Sequence, residues 1–142
     1  MFDITLERRG RIIEAAGEIT IGDFKSLFTF DLSFWSPEEY RASWARSAAS
    51  VLEHGFGRFL VSVGAPGAMF DTWACWRRFD EAVLLHSFLL SEVTLDFGRP
   101  EDGELLGAGT PIERDTEKYK LHGCGLAEIA DFERRLRGAS AQ

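Results

Sequence analysis

Four side chains in this chain have the types of a tetrahedral metal site: His122 and Cys124 one residue apart, with Cys75 and His86 further back. Thiolate and imidazole are the usual ligands of zinc, and a sheet that brought these segments together would supply a full set. The spacing itself carries no such signature, because the chain has neither C-x-x-C nor H-E-x-x-H. A buried thiol and a hydrogen-bonded imidazole account for the same residues with fewer conditions, so no metal and no cofactor is expected. His54-Gly55-Phe56-Gly57 has the composition of an esterase oxyanion loop, yet there is no G-x-S-x-G elbow to go with it. Its place at the end of a helical pattern fits a helix C-cap. The paired acids Glu38-Glu39 and Glu101-Asp102 are neighbours in sequence rather than groups facing across a cleft, so acid–base chemistry has no support. No G-x-x-x-x-G-K-[ST] phosphate loop is present. A catalytic function therefore starts with little support, and a small hydrolase or metal enzyme built on His86, His122 and Cys124 is kept as a third reading.

The elements that position these residues are legible in the patterning. Around Ile4 to Glu7 and Arg11 to Ile21 the chain is β-prone, and Phe24, Ser26, Phe28 and Phe30 then fall at alternate positions. Trp35-Ser36-Pro37-Glu38-Glu39 opens a helix: Ser36 is the cap, Pro37 the first helical residue, and Glu39 completes a capping box. Tyr40, Trp44, Ala48, Val51 and Leu52 recur at helical steps toward a stop at His54-Gly55, which predicts a long helix with aromatics turned into the core. Arg58 to Val63 alternates as a strand, Gly64-Ala65-Pro66-Gly67 breaks it, and Phe70 to Phe79 follows as the second arm of a hairpin. Asp80-Glu81 turns into an apolar run, Val83 to Leu90, which reads as a central strand in a meander; at that length a buried helix is the competing reading. Ser91 to Glu117 is rich in glycine and proline and predicts little regular structure. Lys118 to His122 is a further strand candidate, and Leu126, Ile129, Ala130, Phe132 and Leu136 mark an amphipathic C-terminal helix ending at Gly138. The sum is α+β: one domain over residues 1–142, with an antiparallel-dominated sheet packed against one long helix after the first strands and a C-terminal helix.

Composition agrees. At 142 residues, 45% hydrophobic and 27% charged, the chain has the make-up of one globular core. No apolar run nears the roughly 20 residues that span a bilayer, and the charged N-terminal stretch lacks a signal-peptide core. A cytoplasmic protein is expected, with no membrane partner and with Cys75 and Cys124 as free thiols. The net charge of −7 is concentrated between residues 92 and 117, where eight acids face Arg99 and Arg114 and so hold −6 of it. Such a cluster repels phosphate, which disfavours direct nucleic-acid binding, and attracts basic surfaces. An inert solvated loop is the plain alternative.

The order Ile21-Gly22-Asp23-Phe24, Trp35-Ser36-Pro37-Glu38-Glu39-Tyr40 and Trp44 resembles the immunity proteins of bacterial contact-dependent growth inhibition (CDI) systems, in the group that neutralises tRNA-cleaving toxins. The likeness runs from Ile19 to Leu136 and takes in Leu60 to Val63, Trp73 to Trp76, Ala82 to Leu90 and Phe132. The chain departs from that pattern at Lys120-Leu121-His122-Gly123-Cys124, which stands where a Ser-Glu-Trp-like strand is expected. The resemblance implies a non-catalytic inhibitor whose partner is a cognate toxin domain, a basic nuclease. On that reading Glu92, Asp96, Glu101, Asp102 and Glu104 meet the toxin's Lys and Arg, with Phe97 and Leu105 as apolar anchors. An acidic scaffold or accessory protein binding another basic protein would use the same cluster, and gene order separates the two.

Overall fold

The computed structural model describes residues 1–8, 14–32, 35–62, 69–90 and 121–140. The first three strands, β1 (Phe2–Arg8), β2 (Glu14–Ile21) and β3 (Phe24–Asp31), form an antiparallel sheet in chain order. Strict alternation gives it one dry face: Phe2, Ile4, Leu6, Ala15, Ile19, Ile21, Phe28 and Phe30 are buried, while Thr5, Glu7, Lys25, Leu27 and Thr29 point outward. A second antiparallel sheet follows in the order β4 (Phe56–Ser62), β5 (Met69–Arg78), β6 (Glu81–Leu90) and β7 (His122–Gly125). The apolar run is thus an interior strand, paired on both sides, and the helix alternative falls away. The division of the strands into two sheets is not written in their alternation, which fixes faces but not partners.

The dry faces of the two sheets meet through aromatic rings. Phe2 lies 5.1 Å from Phe59, and Trp73 receives Phe24 at 5.8 Å and Phe28 edge-on at 6.3 Å. One continuous core results.

Helix α1 (Pro37–His54) begins as its sequence prescribes. Glu39 N–H donates to Ser36 Oγ at 3.2 Å and Ser36 N–H to Glu39 Oε1 at 3.3 Å, closing the capping box. Gly55, at φ 83°, ends the helix with its N–H on the Val51 carbonyl. Tyr40, Trp44, Ala48 and Val51 are buried, as the stripe predicts. The helix lies along the free edge of β4 and satisfies it: Trp44 Nε1–H donates to Leu60 O at 2.8 Å, Ser47 Oγ–H to Arg58 O, and Ser50 Oγ–H to Phe56 O at 2.5 Å. Alternate residues of an edge strand point their carbonyls away from the sheet, and three helix side chains at three-residue steps meet them. The approach is close enough that a Cβ on Gly57 would sit 2.4 Å from Ser47 O.

The C-terminal helix, α2 (Leu126–Ser140), buries Ile129 and Phe132. Phe132 meets Phe2 edge-on at 4.9 Å, and Arg135 donates to Asp3 Oδ1 and Phe2 O, tying the helix to β1. The helix continues past the stop expected at Gly138, which does not adopt the left-handed conformation that terminates α1. The last strand also differs from expectation, running His122–Gly125 rather than Lys118 to His122; residues 118–120 lie outside the described set.

Candidate protein-binding surface

The residues with chemical potential come out of the fold in structural roles. Cys75 on β5 and Cys124 on β7 flank β6, so two strand spacings of about 4.8 Å separate them, beyond disulfide reach. Both are free and buried. Burial pushes the Cys124 thiol up to about 12 and Cys75 well above the ordinary range, so neither is a ready thiolate. His86 is sealed from solvent, with Nε2 paired to Asp71 Oδ1 and its ring beside Trp73 and Phe28. Among the described residues no three His, Cys, Asp or Glu side chains are grouped to hold a metal ion. The Gly55 N–H of His54-Gly55-Phe56-Gly57 is spent on the helix end, as the C-cap reading requires. Arg58, almost wholly buried, is held by burial at about 10, below the usual guanidinium value, and so stays charged at neutral pH. Its Nη1 lies 3.5 Å from Thr72 Oγ1 and its guanidinium 5.6 Å from the Phe56 ring centre.

What faces solvent is an open cleft between the β2–β3 turn and the start of β7, lined by Ile21 to Lys25 and Leu121 to Gly123. Ile21 pairs with Phe24, so Gly22-Asp23 is a two-residue turn, and Gly22 supplies the positive φ of 61° that such a turn requires. Its N–H donates to Met1 O at 2.8 Å. The Phe24 ring stacks on His122 at 3.9 Å, which makes the cleft floor flat and aromatic. Leu121 and Met1, 55% and 63% exposed, add apolar surface beside it, and Asp23 and Lys25 give it a polar rim. Next to the cleft Glu128 accepts from Gly125 N–H at 2.6 Å and pairs with the Met1 amino group. These contacts hold its carboxyl below the usual range, the amino group chiefly and the Gly125 N–H second.

Two stretches singled out in the sequence, Gly22-Asp23-Phe24 and Leu121-His122-Gly123, therefore form one surface. No spacing rule joins them, since they are about a hundred residues apart and meet only through the packing of one sheet on the other. Glu92, Asp96, Phe97, Glu101, Asp102, Glu104 and Leu105 lie outside the described residues. The described residues resume after Leu90 at Leu121, on the edge of this cleft.

A solved structure described as the CdiA-CT/CdiI toxin and immunity complex from Enterobacter cloacae contains a chain that superposes on this one with a TM-score of 0.73. The match covers 97% of this chain and 99% of that one at 19% identity. This chain has the fold of a CDI complex component. The resemblance carried by Gly22-Asp23-Phe24 and the Trp35 to Trp44 segment thus has a counterpart in three dimensions, over nearly the whole of both chains. No family model matches the sequence, and no curated protein matches it, so the relationship is carried by architecture. No described helix of this CDI-like fold is long and apolar enough to cross a membrane.

Proposed function

We propose that the protein is a CDI immunity protein that binds the C-terminal toxin domain of a cognate exported protein and holds it inactive in the cytoplasm, without catalysis. The observation that carries this reading is the end-to-end fold match to a chain of a CDI toxin and immunity complex. The immunity role, rather than the toxin role, is supported by the Gly22-Asp23-Phe24 and Trp35 to Trp44 resemblance and by the charge. A net of −7 with −6 between residues 92 and 117 suits a partner that is basic because it handles nucleic acid. The acids draw in that partner and compete with phosphate for its surface, while the Phe24–His122 cleft supplies apolar contact.

The test is coexpression with the C-terminal domain of the large exported protein encoded immediately upstream. Survival of the host with copurification of the pair is expected. Continued killing without copurification, with both chains soluble, overturns the reading and leaves a scaffold for another basic protein in its place.

A further inference from the structure

The β5–β6 hairpin is closed by Phe79 and Asp80, with Arg78 paired to Glu81. Phe79 has φ 58°, the one positive φ outside glycine among the described residues, and its side chain is 89% exposed. Both facts run against ordinary economy. A bulky L-residue is strained in the left-handed region, where a hairpin turn ordinarily takes Gly, Asn or Asp, and a phenyl ring in water gives up the burial that its type usually obtains. Neither is needed for the fold, because Asn or Gly would close the same turn with less strain. The tip is also held firmly: Arg77 Nε–H donates to Phe79 O at 2.9 Å, Arg77 N–H to Gly55 O at 2.9 Å, and Leu126 N–H to Asp80 O at 2.9 Å. The ends of both helices thus brace a hairpin whose most prominent group is an unburied aromatic.

We infer that Phe79 is a preformed anchor that enters an apolar pocket on the toxin domain; this rests on the immunity reading above. Strain kept at an exposed position is characteristic of binding elements, and a turn whose backbone is braced before association leaves only the two ring torsions to be fixed on binding. Exposed Asp80 and Glu81 stand beside exposed Arg77 and Arg78, so the ring is rimmed by charges of both signs, as the apolar centre of a protein contact commonly is.

Phe79→Asn and Phe79→Gly separate this role from a structural one. Thermal unfolding of the free variants should show melting temperatures raised by about 4 °C through relief of strain. Titration against the upstream-encoded toxin domain, inactivated so that it can be purified alone, should show Kd raised at least tenfold. Wild type that binds tightly while both variants bind within twofold of it overturns the anchor and leaves the immunity reading intact. Failure of wild type to bind overturns both. A concentration-dependent dimer of the free protein that the variants abolish, with toxin affinity unchanged, assigns Phe79 to self-association and overturns the proposal as stated.

Discussion

Trp44 Nε1–H donates to the Leu60 carbonyl across 2.8 Å, placing the largest side chain of α1 on the backbone edge of β4 rather than on its face. Ser47 and Ser50 repeat the contact at Arg58 and Phe56. An edge strand is normally open to pairing with another chain; here a helix occupies that edge, so a partner must engage the molecule elsewhere.

Trp44→Phe should therefore destabilise the protein by about 2–4 kcal/mol, from the unpaired Leu60 carbonyl and the volume lost beside it. Ser47→Ala should cost about 1 kcal/mol. Urea unfolding followed by the remaining tryptophans measures both, and a Trp44→Phe variant with an unchanged midpoint would show the edge contact to be incidental.

Gly57→Ala tests the same interface from the strand. The new methyl would stand 2.4 Å from the Ser47 carbonyl oxygen, a backbone atom that cannot swing aside. A loss of about 1–3 kcal/mol is expected, read as a lower thermal midpoint. A midpoint equal to wild type would mean that α1 sits further from β4 than the hydrogen bonds require.

Alkaline pH should weaken the fold through its cysteines. The Cys124 thiol titrates at about 12 when folded and near the ordinary thiol value when unfolded. Its stabilising contribution is complete below the unfolded pKa and is lost as pH rises from about 9 to about 12, because only the unfolded chain releases the proton. Over that window stability should fall by up to about 1.4 kcal/mol per pH unit from this group. Cys124→Ala should show a correspondingly shallower slope in urea midpoints taken between pH 8 and 11. Equal slopes would contradict the assignment.

Reversing Glu101, Asp102 and Glu104 to Lys should slow association with the toxin domain by about tenfold or more at low salt and flatten its salt dependence. Stopped-flow rates that the triple reversal leaves unchanged would remove steering from the account. Because these residues lie far from the core strands in sequence, thermal stability should change little.

Much of the fold was legible because its signals are local. The Ser36-Pro37-Glu38-Glu39 cap, the Tyr40 to Val51 stripe and the alternation through Phe24 to Phe30 each state their structure within one turn or one strand. What was not legible is pairing at a distance: alternation says which side of β3 is dry but not that Phe24 will stack on His122. Gly138 looked like a helix stop because glycine usually is one at such a place, yet with nothing around it the helix simply runs on. Phe79 passed as the last residue of a strand, since an aromatic after Trp76 continues a β-prone run and only backbone geometry reveals the turn. Asp80-Glu81 was the visible turn signal, one residue late.

The central claim is direct binding of a cognate toxin domain, and copurification on coexpression with the domain encoded immediately upstream tests it most directly. The account predicts a stable complex with surviving host cells. Dead cells and two soluble proteins that elute apart would contradict it.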